Sequence, residues 1–286
     1  MKSLKLVSLF LAGALTFTLA GCNGAETSSQ DPSTGSSQEA SKTSLLLDGS
    51  TSVGPLAELL AENYTGGLEI KVQQTGSGTG IQSTLDGSCD IGMASRDLTA
   101  EEEAEGLVPT SIAIDGIAII VNAENPVTGL TSEQITKIFS GEITNWSEVG
   151  GNDAEIIVVS REAGSGTRGA FEELLSLEQD GISLVDEAAE VFCASNGEVK
   201  QNIVSKPNAI GYLSLGLVDD TVRALDVDSV QATSENILAG TYPVARPFLF
   251  VTKGEPAGEV KEFIDYVLSA EGQELVASEN YIRVDQ

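Results

Sequence analysis

Nine residues constrain this chain more than any others: Ser160-Arg161-Glu162-Ala163-Gly164-Ser165-Gly166-Thr167-Arg168. They follow a β-branched apolar run, Ile156-Ile157-Val158-Val159, and precede a stretch where Ala170, Phe171, Leu174 and Leu175 recur at helical spacing. A short apolar run of that kind reads as a buried strand, so the nonapeptide is a strand-to-helix turn. Its glycines allow a tight turn and bring backbone N–H groups close to a ligand. Ser165 and Thr167 offer hydroxyls in the first helical turn, where the macrodipole favours negative charge. Arg161 adds a planar cation suited to oxyanions. An ordinary capped helix start would look much the same in isolation. Two further turns of the same kind weigh against that reading. Asp48-Gly49-Ser50-Thr51-Ser52-Val53-Gly54-Pro55 follows the strand-like Ser44 to Leu47, and Thr75-Gly76-Ser77-Gly78-Thr79-Gly80 follows Leu68 to Val72.

Strand-like and helical stretches alternate through the rest of the chain. Asp90 to Ala94 reads as a strand, and the acidic run Glu101 to Glu105 as a solvated helical face. Ile112 to Val121 is a long β-rich run interrupted by Asp115-Gly116, of a length to cross between two lobes. Thr131 and Gln134 have capping-box spacing, Arg246 to Val251 reads as a strand, and Ala257 to Ala277 as a closing helical region. Such alternation predicts an α/β fold with mostly parallel sheets flanked by helices. In these sheets ligands bind beyond the carboxyl ends of strands, beside helix N-termini, which is where all three hydroxyl-rich turns lie.

Composition removes several kinds of chemistry. The chain has no His, which excludes His-based triads and His general bases. Lys and Arg total 15 against 43 Asp and Glu, a net charge of −28 that argues against a nucleic-acid partner. An anion must therefore be held by local dipoles and a few cations against the overall field. Neither Ser165 nor Ser77 sits in G-x-S-x-G, and no Walker-type loop is present, which counts against a phosphoryl- or acyl-transfer enzyme. Cys89 and Cys193 are not in a C-x-x-C motif and are expected as two buried thiols. No metal site or cofactor is expected.

The N-terminus reads as an address. Lys2 and Lys5 precede the apolar run Leu6 to Leu19, and Leu19-Ala20-Gly21-Cys22 ends it, as in a secretory signal over residues 1–21. The run is too short and interrupted for a comfortable membrane span. Residues 22–43 are rich in Ser, Thr, Gln and Gly and read as a flexible tether. The Leu-Ala-Gly-Cys sequence resembles the bacterial lipobox, which implies diacylation of Cys22 and anchoring on the outer face of the cytoplasmic membrane.

With these residues assembled, the chain resembles the phosphate-binding proteins of bacterial Pst-type ABC transporters. The likeness covers nearly all of Leu45 to the C-terminal helix. It rests on the ordered set Asp48 to Pro55, Gly76 to Gly80, Asp90-Ile-Gly-Met-Ala-Ser-Arg96, Ile138-Phe-Ser-Gly141 with Asn145-Trp146, and Ser160 to Arg168. The resemblance implies a two-lobed periplasmic-binding-protein fold of type II that closes over one phosphate in the cleft. Lobe one is expected over 44–115 and 246–286, and lobe two over 116–245. It also implies a monomeric, non-enzymatic receptor that delivers phosphate to an ABC permease and ATPase complex. A related scaffold for sulfate or molybdate, or a phosphate-sensing surface protein, is the alternative.

Carried over residue by residue, Thr51 and Ser52 match the first binding turn, with Ser50 a neighbouring candidate. Ser77 matches the second, and Arg161, Ser165, Gly166 and Thr167 the third. In several family members a carboxylate follows Ala-Ser and accepts the proton of the bound phosphate. Here Arg96 stands in that place and is expected to contact the anion, the alternative being an ion pair with Asp97 or the acidic run. The proton acceptor is then open between Asp97, Asp115, Glu162 and a backbone carbonyl. Arg168 is expected to point along its helix into solvent.

Overall fold

A computed structural model describes residues 44–285; the leader, Cys22 and the tether fall outside them. The organising element is a 16-residue strand, Leu107–Asn122, in a nine-stranded sheet. Its first part pairs antiparallel with Ala245–Lys253, from Leu107 opposite Lys253 to Gly116 opposite Ala245. Its second part pairs antiparallel with Ala209–Ser214 and with Val222–Ala224. The Asp115-Gly116 pair does not interrupt the strand: it marks the point where one partner gives way to another.

Parallel pairing is confined to the two ends of the sheet. Ser44–Gly49 lies parallel to both Glu69–Gln73 and Ile91–Ala94. Ile157–Arg161 lies parallel to Ala209–Ser214 and Val191–Cys193. The expectation of mostly parallel sheets is therefore corrected to a mixed sheet. Strand–helix–strand crossovers build the parallel ends, whereas the central strands return from distant parts of the chain and meet head to tail.

Although the sheet is continuous, its apolar packing is divided. One cluster draws on Leu45 to Ala113 and on Phe248 to Tyr281. A second draws on Ile117 to Val244, with Ile282. Along the long strand Ile117, Ile119 and Val121 enter this second cluster, while Ala118 and Ile120 enter a third on the opposite face. That alternation is the period-two pattern of a strand covered on both sides. Between the clusters, at 114–116 and 245–247, the chain carries Asp115 and Arg246, both buried.

Local signals fold as read. Thr131 and Gln134 form a complete capping box on the helix Ser132–Phe139. The acidic helix Ala100–Ala104 buries none of its residues. Cys89 and Cys193 are free, buried thiols. The three hydroxyl-rich turns lead into helices Gly54–Asn63, Ser77–Asp86 and Gly166–Leu174.

Gly80 lets the second helix touch the first turn: a Cβ there would lie 2.4 Å from Asp48 O and 2.5 Å from Gly49 Cα. Alanine in a helix normally improves propensity by about 1 kcal/mol over glycine. Overlap with backbone atoms should outweigh that gain, so Gly80→Ala is expected to destabilise the protein by about 1–3 kcal/mol. Chemical denaturation checks this, and an unchanged or raised midpoint would contradict the packing.

Candidate oxyanion-binding site

The three turns converge on a buried polar network, and its hydroxyls are held from several directions. Thr51 Oγ1 accepts from Arg161 Nη2 at 3.1 Å and from Asn196 Nδ2 at 3.2 Å. Ser52 Oγ lies 2.9 Å from Thr167 Oγ1, and accepts from Asn196 Nδ2 at 2.9 Å and Arg246 Nη2 at 3.2 Å. Ser77 Oγ accepts from Ser95 N at 3.2 Å. Gly166 fits against this pair, since a Cβ there would meet Ser77 Oγ at 2.3 Å. Backbone closes the same contact: Gly78 N donates to Gly164 O at 2.9 Å.

Arg161 is the centre of the network. It ends the strand Ile157–Arg161 and is 2 % exposed. Its Nε donates to Cys193 O at 3.1 Å, and its Nη2 to Ala194 O at 2.8 Å as well as to Thr51. Tyr212 fixes the backbone, accepting from Arg161 N at 3.3 Å and sharing a 2.8 Å hydrogen bond with Ser160 Oγ. Tyr212 is itself stacked on Phe171, with ring centroids 4.0 Å apart. Arg161 Nη1 is the exception: it is buried and has no hydrogen-bond partner within the protein. A guanidinium has five N–H donors, and a buried pair of them without an acceptor is costly.

A second cation lies beside it. Arg246 on the strand Ala245–Lys253 donates through Nη1 to Ser95 O at 3.0 Å and through Nη2 to Ser52. Its Nη2 and Nε also reach Asp115 Oδ2, at 3.1 and 3.4 Å. Burial lowers the proton affinity of both guanidiniums; for Arg161 the positive charge of Arg246 adds to the effect, and for Arg246 the charge of Asp115 opposes it. Burial pushes the Asp115 carboxyl up to about 6, against the pull of Arg246. Two buried cations, one of them paired with a buried carboxylate, lie among hydroxyl groups and helix starts and form a local trap for an anion. Among the described residues no cluster of three or more metal-ligating side chains occurs.

Comparison with known proteins agrees with this chemistry. A model described as a PBP superfamily domain matches residues 34–271. The phosphate-binding protein PstS of Bacillus subtilis is 35% identical over an alignment of 294 residues, covering 99% of this chain and 95% of that protein. PstS of Borreliella burgdorferi is 30% identical, covering 83% and 89% respectively. The chain belongs to the PstS proteins of the PBP superfamily. Two solved structures resemble it as well. One, from Clostridium perfringens, is described as a phosphate ABC transporter substrate-binding protein with bound phosphate. It has a TM-score of 0.80 and 47% identity over 84% of this chain and 99% of that one. The other is an ABC-type phosphate transport receptor from Vibrio cholerae, with a TM-score of 0.70 and 41% identity over 83% and 99%.

In this PstS-family chain the expected residues divide into three groups. Thr51, Ser52, Arg161 and Thr167 meet in one network, with Ser77 and Gly166 against its edge. Ser50 and Ser165 hold the backbone of their turns, and Ser50 Oγ also donates to Ser95 Oγ at 2.9 Å. Ser50 Oγ accepts from Ser52 N and Val53 N, and Ser165 Oγ accepts from Arg168 N as a helix cap. Arg96 is not brought in. Its two terminal nitrogens each donate at 2.8 Å to Glu102, a bidentate pair in the acidic run, and Nη1 also donates to Asp97 O. This pairing is the alternative expected above, an ion pair with the acidic run.

Sequence reasoning missed Ser95, Asn196 and Arg246. Arg246 carried a signal, because a lone charge at the start of an apolar strand run has to find a buried partner. Asn196 carried little, since Ser195-Asn196 reads as one more helix cap. Arg168 was also misplaced. Instead of reaching solvent it is buried, donating to Arg161 O at 3.2 Å, Glu172 Oε1 at 2.7 Å, Ser183 Oγ at 2.9 Å and Asp186 Oδ1 at 2.6 Å. It braces the binding turn from behind, with its guanidinium 5.5 Å from the Phe192 ring centroid. Arg168→Ala should strand the half-buried Glu172 and the Arg161 carbonyl, lowering stability by about 2–4 kcal/mol. Urea denaturation measures this, and a loss below about 0.5 kcal/mol would contradict the bracing role.

Proposed function

We propose that this protein is an extracytoplasmic receptor that binds inorganic phosphate and delivers it to an ABC-type permease and its ATPase. Diacylated Cys22 and the tether 22–43 hold it on the outer face of the cytoplasmic membrane, and it works as a monomer. No helix among the described residues is long and apolar enough to cross a membrane. The observation that carries the reading is Arg161: a buried guanidinium with an unpartnered nitrogen, set among hydroxyls from two strand-to-helix turns. The names of its relatives, phosphate-binding proteins and transport receptors, support the same ligand.

Residues 44–115 with 246–286 form one lobe in this reading, and 116–245 the other. Ser52–Thr167, Thr51–Arg161 and Gly78–Gly164 are then bonds between lobes, made on closure and broken on opening. A phosphate ion that donates to and accepts from both walls favours the closed form by its differential affinity, and the permease reads that form. Catalysis is not part of the account: the chain has no His to activate Ser77 or Ser165.

Calorimetric titration of the purified protein with phosphate tests the site. Arg161→Ala should weaken binding at least about 100-fold, the loss of roughly 3 kcal/mol expected for a charged hydrogen bond in a buried site. Arg96→Ala should leave affinity within about threefold, because Arg96 serves Glu102. Retained affinity in the Arg161 variant, or its loss in the Arg96 variant, would refute the assignment.

A further inference from the structure

Arginines supply only part of the N–H groups around Thr51 and Ser52; a side-chain amide from another element completes the set. Asn196 opens the helix Asn196–Ser205, yet Ser195 is the residue that caps it, its Oγ accepting from Glu198 N at 3.2 Å. Released from capping, the Asn196 side chain turns inward and is 2 % exposed. Its Nδ2 donates to Thr51 Oγ1 at 3.2 Å and to Ser52 Oγ at 2.9 Å, which uses both of its hydrogens. Its Oδ1 accepts from Ser214 N at 3.5 Å. A backbone N–H can only donate, so turning the amide over would set donor against donor, and its orientation is fixed.

Each of the two hydroxyls accepts a second N–H. Arg161 Nη2 donates to Thr51 Oγ1 at 3.1 Å, and Arg246 Nη2 to Ser52 Oγ at 3.2 Å. A hydroxyl oxygen has two lone pairs and one proton, so with both pairs taken it can only donate. Ser52 Oγ, 2.9 Å from Thr167 Oγ1, then donates to that oxygen and leaves the Thr167 proton for the anion. We propose that Asn196 is the positioning residue that sets this polarity, making Thr51, and Thr167 through Ser52, donors toward the bound anion. This rests on the phosphate reading above and adds to it a residue that touches the hydroxyls rather than the ligand.

With an arginine alone, each hydroxyl would keep one open lone pair. Such a hydroxyl can rotate to aim that pair at an anion oxygen, where acceptor meets acceptor, and fixing the rotor on binding costs affinity. Asn196 removes that freedom before the anion arrives. An amide suits the task because it is neutral and does not compete with the anion for Arg161, and because it has one N–H for each hydroxyl. The adjoining backbone has the same bias: Cys193 O and Ala194 O accept from Arg161 Nε and Nη2. Residues 193–196 thus hold the cation and orient the hydroxyls as one piece.

Calorimetric titration with inorganic phosphate in a double-mutant cycle separates orientation of the hydroxyls from packing. Asn196→Ala should lower phosphate affinity at least about tenfold in the otherwise native protein. In a Thr51→Val, Ser52→Ala background, where neither hydroxyl remains to be oriented, the same substitution should cost less than about threefold. Equal losses in the two backgrounds, or no loss in the native one, overturn the proposal. If a variant does not fold, judged by circular dichroism, or binds too weakly to titrate, a crystal structure of the wild-type protein with phosphate decides. Asn196 Nδ2 bonded to both hydroxyls, with Thr51 Oγ1 about 3 Å from a phosphate oxygen, supports the role. An amide withdrawn from the hydroxyls, or a Thr51 hydroxyl turned away from the anion, overturns it. Wild-type protein that binds no phosphate would instead overturn the phosphate reading, a failure visible without any variant.

Discussion

Everything in the cleft depends on placing a guanidinium where water cannot reach it. Arg161 is buried at the end of a strand, and the surrounding structure answers most of its hydrogen-bonding demand. Two backbone carbonyls and a threonine hydroxyl take its Nε and Nη2. Tyr212, stacked on Phe171, fixes its backbone nitrogen, and Arg168 holds its carbonyl from behind. What is left over is Nη1, and a buried charge left short of a partner is a standing demand for an anion. Those supports also prevent the side chain from swinging out to solvent, which is the usual escape for a long cation.

The electrostatic setting explains why so much supporting structure is present. With 43 acidic residues against 15 basic ones, the field around the molecule repels anions. Attraction therefore has to be short-ranged, and burial makes it so by reducing screening. Two arginines, the starts of three helices and a group of hydroxyls act over a few ångströms inside a molecule that is negative overall. The Asp115–Arg246 pair fits the same logic. It lowers the net positive charge of the cleft.

The parts of this arrangement that the sequence reveals are those encoded by neighbours in the chain. Glycine–hydroxyl turns between a β-branched run and a helical run are local, so Thr51, Ser52, Ser77, Arg161 and Thr167 can be picked out by their place in a turn. Roles decided by competition between distant groups are not. Arg96 and Arg168 sit in equally suggestive motifs, yet Glu102 claims one, while Glu172, Ser183 and Asp186 claim the other. Arg246 reaches Asp115 across 131 positions through strand pairing that no local pattern specifies. The mixed sheet escaped for the same reason: crossover helices announce parallel pairs, whereas the central antiparallel pairs follow from where a distant strand returns.

The most direct test of the account is a crystal structure of the protein grown with phosphate. A phosphate oxygen should lie about 3 Å from Arg161 Nη1, within hydrogen-bond reach of the Thr51, Ser52 and Thr167 hydroxyls, with Arg96 still paired to Glu102. Phosphate seated instead at Arg96, or a cleft in which Arg161 Nη1 keeps its distance from the anion, would contradict it.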